Sequence, residues 1–113
     1  MKLSHTIEGD RIRVGIREEI DGAACTCLEH YWDRFVSDPF VEVRVEMAEV
    51  DSIDSDGVAQ MVTLLRRNLA DGTRVVVDAP PQVLAHTLYK TGMLDEGRRL
   101  TLVNARTEEP YAG

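Results

Sequence analysis

Residues 50–57 read Val50-Asp51-Ser52-Ile53-Asp54-Ser55-Asp56-Gly57, and this stretch joins a hydrophobic strand pattern to a helical one. Three acids and two serines therefore crowd the segment that leads into the predicted helix. The first turn of a helix leaves backbone N–H groups without partners, and the helix dipole adds partial positive charge there. The sequence predicts a short acidic loop at this junction, suited to a capping carboxylate or a phosphorylated hydroxyl.

Two strand patterns and one helix pattern precede the junction. Residues 3–8 and 12–17 alternate between apolar and polar side chains, which predicts the two strands of a hairpin. The helix pattern over 23–36 begins after Asp21-Gly22, which can cap it, and stops before Asp38-Pro39. The apolar stripe of this helix contains Ala24, Leu28, Tyr31 or Trp32, and Phe35.

The rest of the chain alternates strand and helix patterns on both sides of the junction. Strands are predicted at 40–46, 74–77 and 100–103, and helices at 57–70 and 82–91. The β-branched run at 74–77 is typical of a strand that is covered on both faces. The side chains predicted to face the core are Val41, Val43, Val45, Val58, Met61, Val62, Leu65, Leu69, Val83, Leu84 and Leu88.

The element order is therefore β-β-α-β-α-β-α-β. Strands that alternate with helices imply right-handed crossovers and a mostly parallel sheet, to which the first hairpin adds one antiparallel pair. We predict a single α/β domain over residues 1–104 and a polar, loose tail over 105–113.

Charge and composition narrow the classes of partner. The 113 residues carry a net charge of −7, which argues against general binding to nucleic acid or anionic membranes. The amino terminus lacks the apolar run of a signal peptide, and no stretch approaches the length of a membrane span. We expect a cytoplasmic protein that binds other proteins. The sequence leaves open whether the chain also forms a homodimer.

The two cysteines predict neither a disulfide nor a metal site. Cys25 and Cys27 are two residues apart in a helical pattern, so their side chains point about 200° apart around the axis. No second pair of cysteine or histidine residues has a matching metal-ligand spacing. Two reduced thiols are expected, at least one of them packed in the core.

Ile53-Asp54-Ser55-Asp56-Gly57-Val58 resembles the signature loop of STAS domains, the family that includes bacterial anti-sigma-factor antagonists. In those antagonists the loop typically reads Asp-Ser-Ser/Thr-Gly, and the hydroxyl directly before the glycine accepts phosphate from a partner kinase. Here Asp56 occupies that position, and Ser55 stands one residue earlier.

Two further segments carry the same resemblance, which covers nearly the whole chain. Glu19-Ile20-Asp21 is similar to the Glu-Leu-Asp that ends an early strand in the family, and residues 78–83 and 88–94 resemble its strand-loop-helix with a Thr-Gly-Leu end. The resemblance implies the STAS fold, a curved mixed β-sheet with three to four helices packed mainly on one face. The terminal helix that many members carry is expected to be short or absent.

Each residue of the loop has a structural and a functional interpretation. Asp56 can simply cap the helix or stabilise its first turn, and it can also hold the loop in a permanently charged state that partly mimics phosphate. Ser55 can bond its own backbone or accept phosphate. Asp21 and Asp54 are expected to meet, because the ends of neighbouring parallel strands share one sheet edge, and each can also serve only as a cap.

A partner-docking surface is predicted on the second helix, on the face away from the core. This surface contains Gln60, Thr63, Leu64, Arg66 and Arg67. The alternative for the arginines is a solvated face that neutralises the acidic loop. The resemblance to STAS domains supports a docking surface, because the partners of those domains often contact the same loop and helix.

The resemblance implies a non-enzymatic regulator similar to an anti-sigma-factor antagonist, which binds an anti-sigma factor or serine kinase. The alternative is a small cytoplasmic accessory subunit of a lipid-asymmetry ABC transporter that binds the ATPase, because relatives of that kind also place the hydroxyl directly after the aspartate. No catalytic residue, metal or cofactor is predicted, since the chain lacks a nucleophile elbow, a phosphate-cradling glycine loop and a zinc pattern.

Overall fold

The computed structural model describes residues 1–93 and 99–106. They form one five-stranded sheet in the order β1-β2-β3-β4-β5, in which β1 pairs antiparallel with β2 and every other pair is parallel. The strands are β1 (Lys2–Glu8), β2 (Arg11–Ile20), β3 (Glu42–Ile53), β4 (Arg74–Asp78) and β5 (Leu100–Val103). The predicted element order and the mixed, mostly parallel sheet are confirmed.

Three helices cross between the parallel strands. They are α1 (Cys25–Tyr31), α2 (Ser55–Ala70) and α3 (Gln82–Lys90). A 3₁₀ turn, Gly22–Ala24, precedes α1, and a π-helical turn, Trp32–Val36, follows it. No helix in residues 1–93 or 99–106 is both long enough and apolar enough to cross a membrane.

The core lies between one face of the sheet and the helices. On β2, Ile12, Val14 and Ile16 are buried and alternate with exposed arginines, because successive strand side chains point to opposite faces. Val43 and Val45 continue this face on β3. Packing of the helices on one face therefore follows from the alternation in the sequence.

Two predicted core positions, Val41 and Val83, and the predicted coverage of β4 on both faces prove wrong. Val41 lies one residue before β3 begins, and its side chain is 55% exposed. Val83 is 51% exposed, because α3 turns Leu84 and Leu88 toward the core and Val83 lies about 100° around the helix from Leu84. Val76 is only half-buried, so β4 is covered on one face and not on both.

The first crossover is helical without interruption from Gly22 to Val36, which confirms the helix predicted over 23–36, but its last turn is π-helical. The amide N–H of Ser37 donates to the carbonyl of Trp32, five residues back, which widens the last turn. This wider turn buries Val36 together with Leu28 and Trp32, while Tyr31 and Phe35 are half-buried. The sequence pattern did not decide between Tyr31 and Trp32 as the core residue, and the structure shows that it is Trp32.

The other face of the sheet is open and charged. Arg44 lies 2.7 Å from Asp78 and 3.7 Å from Glu46, which also pairs with Arg13 at 3.5 Å. The hydrogen bond from Asn104 and the ion pair with Arg44 lower the pKa of Asp78, against the opposing effect of its partial burial. These charges keep the uncovered face of the sheet in water.

Arg106 corrects the prediction of a loose tail for the part of it that the structure describes. Its guanidinium donates to the carbonyl of Val50, at 3.1 Å, and to that of Met47. The chain is thereby held against β3 after β5 ends. Residues 107–113 lie outside the described residues, as does the terminal helix expected to be short or absent, and the domain boundary at residue 104 stays a prediction.

Candidate functional site

The predicted loop at 51–57 is reduced to a single residue, Asp54. β3 continues to Ile53 and α2 begins at Ser55, so Asp54 alone is extended between them. One oxygen of the Asp54 carboxylate accepts from the amide of Gly57 at 2.8 Å, as an N-cap does. The other accepts from the amide of Gly22 at 3.1 Å, so a single carboxylate holds the starts of two helical segments together.

Gly57 is required because α2 begins very close to the end of β2. A Cβ atom at this position would stand 2.6 Å from the carbonyl oxygen of Ile20 and 2.9 Å from a side-chain carbon of Ile53. That carbonyl also accepts the amide N–H of Asp54 at 3.1 Å, so it is fixed in place. The family-like glycine is thus explained by a close approach of two backbone segments.

Asp21 and Asp56 complete a cluster of three carboxylates with Asp54. The Asp21 carboxylate accepts from the amide of Ala24 at 2.9 Å and caps the 3₁₀ turn. The Asp56 carboxylate lies over Gly22, where a Cβ atom would be 2.9 Å from its Oδ2. The structure therefore brings Asp21 and the 54–57 segment to one edge of the sheet, as predicted.

The cluster carries uncompensated negative charge. In the part of the chain that the structure describes, none of the three carboxylates forms an ion pair with lysine or arginine. Asp56 and Ser55 are exposed in the first turn of α2, where backbone N–H groups and the helix dipole favour negative charge. Within residues 1–93 and 99–106, no group of three or more His, Cys, Asp or Glu side chains is placed to hold a metal ion.

Cys25 belongs to this site, although sequence reasoning did not include it. Its sulfur lies 3.5 Å from the carbonyl oxygen of Asp21 and 3.6 Å from that of Asp56. Thiols at helix starts usually ionise easily, but here burial, and then the carboxylates of Asp56, Asp54 and Asp21, raise the pKa of Cys25. The sequence did contain a signal for this position. Cys25 follows the capping Asp21 by four residues, which is about one helical turn, so the two lie on the same side of the helix.

The two thiols are free, as expected, but neither is buried. Cys25 is half-buried and Cys27 is exposed. The prediction that at least one thiol packs in the core is therefore wrong.

Cys25 should react with iodoacetamide several-fold more slowly than Cys27 near neutral pH. The thiolate is the nucleophile, and a raised pKa leaves less thiolate at a given pH. The measurement is the alkylation rate by mass spectrometry in the single-thiol variants Cys27→Ser and Cys25→Ser.

Asp56→Asn should accelerate alkylation of Cys25 and leave the rate at Cys27 unchanged, which makes Cys27 the matched control. An unchanged alkylation rate at Cys25 in Asp56→Asn would contradict the charge cluster as described.

Only part of the docking surface predicted on α2 is exposed. Thr63 and Arg66 are exposed and Gln60 is half-exposed, but Leu64 is completely buried. The helix contacts α1, α3 and the sheet, so it buries a wider arc than the sequence stripe suggested. The residues of α2 that remain accessible to solvent on one side form a surface that we call the α2 outer face: Asp56, Ala59, Gln60, Thr63 and Arg66.

The arginines do not neutralise the acidic cluster. Arg67 pairs with Asp33 of the π-helical turn and lies 3.4 Å from the Ser37 hydroxyl. Arg66 stands ten residues after Asp56, about 15 Å along the helix axis. The α2 outer face therefore runs from an acidic end to a basic end, with uncharged side chains between them.

This chain belongs to the STAS-domain family, because a family sequence model described as "Mlab, STAS domain" matches residues 3–104. No match to the chain is found among curated proteins.

Solved structures of the same fold include bacterial regulators. A candidate anti-sigma factor antagonist, tm1081 from Thermotoga maritima, is 16% identical and superposes with a TM-score of 0.71 over 94% of this chain and 89% of that one. The anti-sigma factor antagonist SpoIIAA of Bacillus, in its unphosphorylated form, is 14% identical, with a TM-score of 0.64 over 96% of this chain and 92% of that one. These likenesses confirm the STAS fold.

Mglu contains a similar region within a longer chain. It is 26% identical, with a TM-score of 0.63 over 70% of this chain and 20% of Mglu. The similarity therefore concerns one part of that protein.

Proposed function

We propose that this chain is a non-enzymatic STAS regulator that binds a partner protein through residues 54–57 and the α2 outer face. The partner class is an anti-sigma factor or serine kinase, as for the anti-sigma factor antagonists that share the fold. Such a regulator acts in the cytoplasm.

The observation that carries this proposal is the exposed carboxylate of Asp56, which forms no ion pair with any residue in 1–93 or 99–106. It stands directly before the buried Gly57, where the family resemblance puts a phosphorylatable hydroxyl. SpoIIAA has been solved in both unphosphorylated and phosphorylated forms, which supports phosphate control in this fold. A carboxylate carries about one charge where phosphate carries nearly two, so Asp56 supplies part of that charge permanently.

Ser55 remains the hydroxyl that a kinase could modify. It is exposed at the first position of α2, where a phosphate would gain unpaired backbone N–H groups. The carboxylates of Asp21, Asp54 and Asp56 oppose that gain by repulsion. We therefore propose a regulator whose docking surface is held mainly in one charged state.

Asp56→Ser is expected to create a site that the partner kinase phosphorylates, and Asp56→Asn to weaken partner binding about threefold to tenfold. The partner would be isolated from native cells with the tagged protein, identified as a serine kinase or anti-sigma factor, and purified. Phosphorylation would be mapped by mass spectrometry, which also reports on Ser55, and affinity would be measured by calorimetry.

Asp71→Asn is the matched control, because it makes the same chemical change at the exposed carboxyl end of the same helix. Affinity that is unchanged in both Asp56 variants would overturn the role proposed for Asp56.

A second candidate function is that of a small accessory subunit of a lipid-asymmetry ABC transporter, holding its ATPase through the same surface. The specific observation is the order Asp54-Ser55, with an exposed hydroxyl directly after the capping aspartate. Copurification with an ATPase and its membrane complex, in place of a kinase, would select this candidate.

A further inference from the structure

We propose that the free edge of β1 binds the same edge of a second copy of this chain, in an antiparallel pair that joins the two five-stranded sheets. Among the described residues, β1 has a neighbouring strand on one side only. A strand edge presents a row of unpaired backbone N–H and C=O groups that can pair with another strand.

β1 lacks three of the features that usually protect an edge strand, and its two charged residues, Lys2 and Glu8, lie at its ends. It has seven residues, contains no proline, and pairs with β2 without a register shift. The opposite edge of the sheet, β5, has only four residues, and such short edges are a common form of protection. The β1 edge is therefore the better template for pairing.

The sequence of β1 is complementary to itself when it is read antiparallel about His5. Lys2 then stands opposite Glu8 of the second copy, and Ser4 opposite Thr6 of the second copy, on the open face of the sheet. Opposite charges and paired hydroxyls across strands are favourable, and the two-fold symmetry makes each pair occur twice. Among the described residues of the monomer, Lys2 pairs only with Glu18, at 3.8 Å, and both side chains are largely exposed.

The helix-side face of β1 is also complementary to itself. Ile7 is 52% exposed and would be covered by the partly buried Leu3 of the second copy, which stands opposite it. The half-buried rings of Tyr31 and Phe35 pack on His5 of β1, with ring centroids 5.5 and 4.5 Å from that of His5. The same contact thus covers an exposed apolar side chain on each copy.

This contact goes beyond the proposed function and leaves the docking surface free. α2 packs over β3 and β4, whereas the proposed interface lies at β1. A dimer would therefore carry two docking surfaces. An interface made by one strand edge and a few side chains is small, so a dissociation constant in the micromolar range is expected.

The test is sedimentation velocity of the full chain over a range of concentrations, with charge-swapped variants. Lys2→Glu places like charges opposite each other twice per dimer, and so does Glu8→Lys. Each variant is expected to weaken dimerisation about tenfold. An equimolar mixture of the two should form heterodimers, and the double variant K2E/E8K should regain dimerisation.

The matched controls make the same changes in net charge away from the edge. They are Lys90→Glu at the end of α3 and Glu29→Lys on α1, both exposed, and they should leave dimerisation unchanged. Thermal unfolding of the separate variants checks that each is folded. The proposal would be overturned if the wild-type chain stayed monomeric up to about millimolar concentration. It would also be overturned if a dimer formed but neither charge reversal weakened it. Both outcomes are independent of partner binding at α2.

Discussion

Gly57→Ala is expected to lower the free energy of unfolding by about 2 kcal/mol, although alanine is the better helix former. The new Cβ atom would stand 2.6 Å from the backbone carbonyl of Ile20, which cannot rotate away as a side chain can. Either α2 moves away from β2, or the hydrogen bond from Asp54 to Ile20 is lost. Urea unfolding measures the loss, which corresponds to a fall of about 8 °C in melting temperature.

Gly15→Ala is the matched control for that loss. Its new Cβ atom would meet only the hydroxyl of Ser4, at 3.0 Å, at the end of a flexible and exposed side chain. Alanine also restricts the unfolded chain, so this variant should be neutral or gain up to about 1 kcal/mol. Equal stability of the two variants would contradict the close approach at Gly57.

Asn68→Leu is expected to cost about 2–4 kcal/mol, although it replaces a buried polar residue by an apolar one with the same branching. The Asn68 side chain is 2% exposed, accepts from Trp32 Nε1 at 2.8 Å, and donates to the carbonyl of Val36 at 3.1 Å. Leucine would leave a buried indole N–H and a buried carbonyl without partners. Chemical unfolding measures the cost.

A double-mutant cycle separates this hydrogen bond from general packing. Trp32→Phe removes the donor, so the double variant W32F/N68L should lose about 1 kcal/mol less than the sum of the single losses. Thr63→Val, on the exposed side of the same helix, should change stability by no more than about 0.5 kcal/mol. Strictly additive losses in the cycle would show that the two side chains are not coupled.

The sequence predicted the sheet well because each strand is covered on one face only. Strict alternation in β2, and again at Val43 and Val45, indicated both the strands and the inward side. The errors at Val41 and Val83 fall at the ends of elements, where one residue of displacement changes the burial of a side chain. Periodicity alone cannot locate an end so finely.

The first crossover shows what periodicity could not reveal. Trp32 and Asn68 are 36 residues apart, and their hydrogen bond depends on how two helices pack. The π-helical turn that buries Val36 likewise satisfies a tertiary contact, since the Val36 carbonyl accepts from Asn68. Neither feature leaves a local signal in the sequence.

The meeting of Asp21 with Asp54 was predictable, because the order of the strands in the sheet determines it. Ile20 and Ile53 are register partners at the carboxyl ends of neighbouring parallel strands, so the acids that follow them had to meet. Leu64 was misplaced because α2 is enclosed by α1, α3 and the sheet. Arg67 keeps a partly exposed side chain, but its ion pair was not predictable because its partner Asp33 belongs to another element.

The division of α2 into a buried and an exposed side has a consequence for protein engineering. The core-facing side holds the helix through Leu64, Leu65 and Asn68, while Ala59, Thr63 and Arg66 stand in solvent. A combinatorial library confined to those three solvent positions would vary the recognition chemistry without disturbing the core. The chain thus offers a small scaffold, free of disulfides, on which one helix can be redesigned to select new partners.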